Sequence, residues 1–320
     1  MTERSFSAEA PTKIILSGEH SVVHGYPALV LAVEPKVKSN VRPVEEGIAV
    51  LSSRLGQAKF DTRSGKLEGD KRLVPAVEVL RHVRDVCGSD SGLEAETSSE
   101  APLASGMGSS ASAFVSMALA AFRALGVNPT RDQLVDAAMV GEKIVHSRPS
   151  GVDVEIAVSG GAIRYVKGQG SSSVKMRADI PLLVVNTETE RRTGDMVERF
   201  RSRLESGGDE MKRSLETIGA LTDQIERALL EGDMALVGRL MTANHVLLSS
   251  FGVSTPLLDR IVAECVMAGA LGAKLTGAGG GGSAIALVGP EAIEGVRLRM
   301  NEIGLKSFRA KPCAEGARAW

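Results

Sequence analysis

The chain has 320 residues and is 43% hydrophobic, which is enough for a packed core and predicts two domains. A net charge of -1 and an aromatic content of 3% favour neither a nucleic acid nor an anionic membrane as partner, because basic surfaces and base-stacking platforms are scarce. The cysteines, Cys87, Cys265 and Cys313, are too widely spaced for a metal motif or disulfide framework, and we expect reduced thiols in a cytoplasmic protein without a signal peptide or membrane span.

Two strands are predicted near the N-terminus, Lys13–Leu16 and Ala28–Val33, because each is a short apolar run bounded by turn residues. Between them, His20 and His24 have the spacing of a metal-binding pair. No third ligand lies nearby in the sequence, so zinc is disfavoured. The alternative is that Glu19 and His20 line a polar pocket between the two strands.

The next elements follow from apolar periodicity and turn signals. Residues 36–60 predict edge strands, and the polar stretch 61–72 predicts a surface loop. The spacing of Val77, Leu80 and Val83 predicts a helix over Val74–Val86.

The stretch Pro102–Ser112 is rich in glycine and serine and leads into an apolar helical run that ends near Gly126. Ser109 and Ser110 stand where an N-cap is expected. A loop with few side chains before a helix is typical of phosphate binding, because the first N–H groups lack partners and the helix dipole favours an anion.

Other interpretations of this stretch are weaker or equally open. A P-loop requires Gly-Lys-Ser/Thr, and the nearest Gly-Lys pair is followed by Leu67. A dinucleotide turn fits Gly106, Gly108 and Ala111, but residues 128–132 contain no second strand. A loop that binds no ligand fits the local pattern as well as a phosphate site does.

A second helix is predicted from the capping box of Thr130 and Gln133. Glu142 lies at the edge of its apolar face, and Asp153 follows in a predicted tight turn. Taken alone, Glu142 fits a salt bridge at the protein surface and Lys13 a solvated strand end. A buried carboxylate would instead need a partner or a bound ion.

The second half mixes strands with helices after a boundary near residue 175, which divides the chain into domains 1–175 and 176–320. The predicted elements in this half are a strand at 182–185, helices over 193–248 with breaks near 207 and 232, a helix from 255, a strand at 284–288, a helix from 290 and a strand at 306–311. The glycine run in Lys274–Ser283 would weaken a strand, so it predicts a close approach of backbone to a ligand or another loop, with a flexible hairpin as the alternative.

Three stretches together resemble the GHMP kinases, the superfamily of galactokinase, homoserine kinase, mevalonate kinase and phosphomevalonate kinase. Lys13–Ala28 resembles the first motif of the mevalonate kinase branch, Pro102–Ser112 the second motif and Lys274–Ser283 the third. The block Gly141–Asp153 is similar to the helix and acid turn of the same branch. The resemblance covers most of the chain in the family's order.

The resemblance implies an α+β, two-domain GHMP-kinase fold. Its N-terminal domain would be similar to ribosomal protein S5 domain 2 and its C-terminal domain ferredoxin-like, with ATP and the acceptor in the cleft between them. The implied reaction is Mg2+-dependent transfer of phosphate from ATP to the primary hydroxyl of mevalonate, giving 5-phosphomevalonate for isoprenoid synthesis. The implied partner is this small molecule, with no nucleic acid or membrane, and a homodimer is compatible with the sequence.

The catalytic and nucleotide-binding residues of the family are carried over by position. Asp153 matches the catalytic aspartate and Lys13 the lysine beside it, while Ser110 and Glu142 match the magnesium ligands. The residues that match the ATP phosphate cradle are Ala104, Ser105, Gly106, Met107, Gly108, Ser109, Ser110 and Ala111.

The acceptor pocket matches the family less uniformly. His20, with Glu19, matches the mevalonate-binding pair, and Thr276 matches a threonine near the reacting groups. Arg148 departs from the family pattern, and it fits a contact to the acceptor's carboxylate, a contact to a phosphate-bearing acceptor or a solvated turn charge. Two other functions stay open, a kinase of this fold with another acceptor and a non-catalytic binding protein on the same scaffold.

Overall fold

A computed structural model describes residues 5–101, 106–146, 149–176, 180–189 and 193–320 of the chain. A nine-stranded mixed sheet forms the first part of the molecule. Its strands are β1 (Phe6–Ser17), β2 (Ala28–Val44), β3 (Ile48–Ser52), β4 (Gly56–Phe60), β5 (Leu67–Gly69), β6 (Gly92–Ser99), β7 (Ala162–Val166), β8 (Gly170–Ser173) and β13 (Arg318–Ala319). They lie in the order β13-β1-β2-β6-β3-β4-β5, with β7 paired to both β2 and β8.

Four helices pack with this sheet: α1 (Val74–Val86), α2 (Ser109–Ala124), α3 (Arg131–Val145) and α4 (Val152–Ser159). Helix α2 packs on β1 and β2, because its apolar face, including Val115, Ala118 and Phe122, is fully buried. This packing holds the N-terminus of α2 beside β1, where the N–H of Lys13 bonds to the carbonyl of Met107.

Most helix boundaries that were predicted for this part are confirmed. Helix α1 has both predicted ends, and α3 begins with the predicted capping box between Thr130 and Gln133. The predicted loop over 61–72 is wrong in part, because it contains β5 and a turn of 3₁₀ helix at Lys71–Leu73.

Two local predictions near the glycine loop are wrong. Gly108, with a left-handed φ of 69°, is the N-cap of α2, and no serine side chain caps the helix. Asp153 does not lie in the predicted tight turn, because it is the second residue of helix α4. Helix α4 has only 8 residues, too few for a clear periodic signal.

The C-terminal sheet has the strand order β10-β11-β9-β12, with every neighbouring pair antiparallel. Its strands are β9 (Leu182–Asn186), β10 (Gly272–Thr276), β11 (Ser283–Leu287) and β12 (Ser307–Arg309). Its helices are α5 (Thr193–Ser206), α6 (Gly208–Glu231), α7 (Met234–Ser250), α8 (Pro256–Met267) and α9 (Ile293–Glu302). Along the chain, β9 is followed by helices, then by β10 and β11, then by α9 and β12, which is a βαββαβ order. This order, with the strand order given above, is ferredoxin-like, as predicted.

The two sheets share an apolar contact zone, so their relative position is set by packing. Ile14 and Leu16 of β1 belong to the same buried cluster as Met241 of α7 and Ile285 of β11. The division at residue 175 stays a prediction. Among the described residues, no helix combines the length and the apolar character needed to cross a membrane.

Candidate active site

Lys13 and Asp153 form an ion pair between β1 and α4. The Lys13 ammonium Nζ lies 3.1 Å from the Asp153 carboxylate Oδ1, and the side chains are 5% and 27% exposed. Gly151 precedes α4 with a φ of 88°, a left-handed conformation that glycine adopts without a steric penalty. With these exposures, the Lys13 ammonium is largely dehydrated, while the Asp153 carboxylate remains accessible from the cleft.

The glycine loop lies directly against this pair. A Cβ atom placed on Gly108 would lie 2.9 Å from Cγ of Lys13 and 3.2 Å from Oδ2 of Asp153. The backbone N–H of Lys13 donates a hydrogen bond of 2.8 Å to the carbonyl of Met107. The first turn of α2, whose leading N–H groups have no partner within the helix, thus begins beside the ion pair.

The residues predicted to form the phosphate cradle differ in whether they are exposed to the cleft or buried in the core. Four of these residues line the cleft between the two sheets: Gly106, Gly108, Ser109 and Ser110. Met107 and Ala111 have side chains buried in the core, so they can offer only backbone groups to a ligand. Ala104 and Ser105 lie outside the described residues, as does Arg148.

Ser110 and Glu142 bring a hydroxyl and a carboxylate together near the same helix end. The Ser110 hydroxyl donates a hydrogen bond of 2.8 Å to Oε1 of Glu142, which is 3% exposed. Burial raises the pKa of Glu142 from 4.5 to about 7, and the charge of Asp153 acts in the same direction. The hydrogen bond from Ser110 and the charge of Lys13 oppose this shift in pKa.

The predicted acceptor residues lie where the segment after β1 meets the C-terminal domain. The Glu19 carboxylate pairs with the Lys274 ammonium, and both side chains are buried. Burial raises the pKa of Glu19 and lowers that of Lys274, and each partner's charge opposes the shift. Nε2 of His20 lies 2.9 Å from the carbonyl oxygen of Ala278, and the His20 ring stacks on Phe200 with centroids 4.6 Å apart.

Thr276 connects the two domains through its hydroxyl. Its Oγ1 accepts a hydrogen bond from the N–H of Ile15 and also lies 3.1 Å from the Ile15 carbonyl oxygen. Its predicted role near the reacting groups stays a prediction. The glycine run that follows packs tightly on other loops, since a Cβ at Gly279 would lie 2.0 Å from the carbonyl oxygen of Val253. The predicted close approach of this backbone to another loop is therefore confirmed.

Most of the described residues that were predicted for the site share one cleft with a volume of about 1030 Å³, which Thr276, Lys274 and Phe200 do not line. The N-terminal side contributes Lys13, Glu19, His20, Gly106, Gly108, Ser109, Ser110, Glu142 and Asp153. Part of the C-terminal side comes from one face of α5, where Gly194, Val197 and Arg201 recur at helical spacing. A second cavity, of about 620 Å³ between α7 and α8, contains none of the predicted site residues.

Two residues that hold the predicted acceptor pair, Lys274 and Phe200, were not predicted as site residues. Lys274 could have been recognised, because a lysine inside an otherwise apolar strand must be paired when it is buried. Phe200 could not have been selected in this way, because an apolar position on a helix is typical of any core residue.

Models of two GHMP kinase domains match the chain, the N-terminal domain over residues 74–161 and the C-terminal domain over residues 225–305. A mevalonate kinase from Aeropyrum pernix is 35% identical over 98% of both chains. A mevalonate kinase from Pyrococcus horikoshii is 32% identical over 88% of both chains.

Solved structures agree with these sequence matches. The L. major mevalonate kinase in complex with R-mevalonate has a TM-score of 0.80 at 27% identity, covering 95% of both chains. The Methanococcus jannaschii mevalonate kinase has a TM-score of 0.83 at 25% identity, covering 97% of this chain and 98% of its own. The fold and the cleft are those of a GHMP small-molecule kinase. Within that class, the chain belongs to the mevalonate kinase family.

Proposed function

We propose that this chain transfers the terminal phosphoryl group of ATP to the primary hydroxyl of mevalonate, giving 5-phosphomevalonate for isoprenoid synthesis. The observation that carries the proposal is the Lys13–Asp153 ion pair beside the N-terminus of α2, inside a cleft large enough for two small ligands. The full-length similarity to mevalonate kinases supports the choice of acceptor.

Asp153 is the proton acceptor in the proposed mechanism. The acceptor hydroxyl gives its proton to the Asp153 carboxylate, its oxygen forms a bond to the terminal phosphorus of ATP, and ADP leaves with the bridging oxygen. Lys13, 3.1 Å from Asp153, stabilises negative charge at this oxygen as the proton departs. The carboxylate then returns the proton to solvent when the products leave.

The first turn of α2 holds the phosphates of ATP in this proposal. Its leading N–H groups, which have no partner within the helix, and the positive end of the helix dipole attract anions. Gly108 is required there, because any side chain would enter the space of Lys13 and Asp153. Phosphoryl transfer needs positioning and charge stabilisation above all, and this loop supplies both.

Ser110 and Glu142 are suited to hold Mg2+. Both offer oxygen, the ligand type that magnesium prefers, and one hydroxyl with one carboxylate suffices when phosphates and waters complete the shell. The raised pKa of Glu142 fits this role, because a buried carboxylate gains most from a cation. A bound magnesium ion would neutralise charge on the phosphate oxygens.

The proposal is tested by comparing acceptors with the unmodified protein. We expect kcat/KM, measured by coupled detection of ADP, to be highest for mevalonate among mevalonate, phosphomevalonate and galactose. A preference of about tenfold, or 1.4 kcal/mol, for another acceptor would overturn the acceptor and leave the kinase proposal intact. Absence of ADP release with every acceptor would support a binding protein. A cytoplasmic location and a homodimer stay predictions.

A further inference from the structure

The segment between β1 and β2 that carries the predicted acceptor residues is held from the C-terminal domain. Glu19 pairs with Lys274 of β10, and His20 contacts the Ala278 carbonyl in the loop that follows β10. The His20 ring also stacks on Phe200 of α5 at an interplanar angle of 7°. One strand and its loop therefore hold two consecutive residues of the acceptor pocket.

The backbone at this point needs such external contacts. His20 has a φ of 61°, in the left-handed region that residues other than glycine rarely occupy. Strained residues of this kind persist only where the surrounding structure fixes them. From the opposite domain, Ala278 and Phe200 contact the His20 ring, and Lys274 holds the preceding residue, Glu19.

Lys274 is the charged member of this set and is fully buried. Its ammonium donates to Oε1 of Glu19 and to the carbonyl oxygen of Leu275, the latter over 2.7 Å. A buried lysine without a partner would be strongly destabilising, so its position and that of Glu19 depend on each other. Lys274 does not line the described cleft, whereas Glu19 does.

We infer that Lys274 is a positioning residue for the acceptor, acting through Glu19 to set the place of Glu19 and His20 at the cleft. This inference rests on the proposed function, since it specifies how the same cleft grips its acceptor. A small displacement of a gripping residue is sufficient to weaken binding at the reacting centre. The nucleotide end is formed by α2 on the other domain, whereas the hydrogen bonds of the Lys274 ammonium go to Glu19 and to the Leu275 carbonyl.

A second buried contact provides a matched control. Ser17 of β1 lies two residues before Glu19, and its hydroxyl is 2.7 Å from the hydroxyl of Thr222 on α6. This pair also joins the two domains, but neither residue lines the cleft. Ser17→Ala therefore removes a contact between the domains without touching the acceptor pair.

The experiment measures KM for mevalonate and for ATP in Lys274→Met and Ser17→Ala, with thermal denaturation of each. We expect Lys274→Met to raise KM for mevalonate by about tenfold or more while KM for ATP changes by less than about twofold. Ser17→Ala should change neither KM by more than about twofold. An unchanged KM for mevalonate in folded Lys274→Met, or the same KM pattern in Ser17→Ala, would overturn the inference.

A double variant covers the case in which Lys274→Met fails to fold. Glu19→Gln with Lys274→Met removes both buried charges together, so no unpaired charge remains. If Lys274 acts through Glu19, the double variant should have the same KM for mevalonate as Glu19→Gln alone. A further rise in KM would mean that Lys274 acts by another route. If the unmodified protein prefers another acceptor, the proposed function fails, and the same comparison is made with that acceptor.

Discussion

The hydroxyl of Ser110 donates a hydrogen bond of 2.8 Å to Oε1 of Glu142, joining the first turn of α2 to the last turns of α3. The two residues are 32 positions apart, and Glu142 is almost completely buried. Oε2 of the same carboxylate lies 3.9 Å from Nε2 of His146. A buried carboxylate needs such partners, or a bound cation, to compensate for its lost hydration. This relationship leads to the first two predictions.

Loss of the Ser110 hydroxyl or of the Glu142 carboxylate should weaken the binding of Mg2+ to the enzyme. We expect Ser110→Ala and Glu142→Gln to raise the Mg2+ concentration for half-maximal rate and to cost on the order of 3 kcal/mol of transition-state stabilisation, because an electrostatic contact to the phosphates is lost. Titrations of rate against Mg2+ measure this. Asp136→Asn, an exposed carboxylate on the same helix, is the control and should behave like the unmodified protein. Unchanged titrations in both variants would place the metal elsewhere.

Glu142 should also make stability depend on pH. Its pKa is raised from 4.5 to about 7, so between these values the folded protein binds a proton that the unfolded chain has released. Stability therefore falls as pH rises through this window, by up to about 3 kcal/mol. Urea denaturation between about pH 5 and pH 8, without Mg2+ or nucleotide, should show Glu142→Gln gaining stability relative to the unmodified protein as pH rises. A constant difference would contradict the raised pKa.

Asp153→Asn should remove the proton acceptor while keeping the shape of the site. We expect turnover to fall by roughly 10²–10⁴-fold, the usual contribution of a positioned general base. Nucleotide binding should persist, because the phosphates are held by α2. Steady-state kinetics and calorimetric titration of ATP separate the two effects. Near-normal kcat would remove Asp153 from the mechanism.

Gly108→Ala should damage the site beyond its effect on the backbone. The new Cβ would lie 2.9 Å from Lys13, whereas Gly126, just after the other end of α2, has a similar φ of 78° and no atom within 4 Å of its Cβ position. Alanine at either position should cost about 1–2 kcal/mol in unfolding free energy, because both need a left-handed backbone. We expect kcat/KM to fall sharply only for Gly108→Ala. Equal losses of activity in both variants would contradict the close packing against Lys13.

His20→Ala should act on the acceptor and spare the nucleotide. We expect KM for mevalonate to rise far more than KM for ATP, because the ring lies against Phe200 and Ala278 on the C-terminal side of the cleft. His24→Ala is the matched control, since His24 lies in the same segment with its ring centroid 6.0 Å from that of Phe200 and does not line the cleft. A parallel rise in both KM values for His20→Ala would assign His20 a general structural role.

Local patterns in the sequence were sufficient for much of the fold. The helix Val74–Val86, the capping box of Thr130 and the strand at 182–185 were all predictable, because periodicity, apolar runs and capping depend on residues close together in the sequence. The same local signals failed at Asp153, because α4 begins with apolar and acidic residues in alternation, a pattern typical of a strand rather than a helix.

The sequence by itself determined which chemical groups this protein has: a glycine-rich loop before a helix, a lysine at a strand, and two carboxylates near one turn. Only the tertiary structure decided that Lys13 meets Asp153, that Ser110 meets Glu142, and that Lys274 reaches Glu19 across 255 positions. The physical reason is that such pairs are created when sheets and helices bury their apolar faces together. That packing brings distant residues to one place, and burial then makes their pairing necessary.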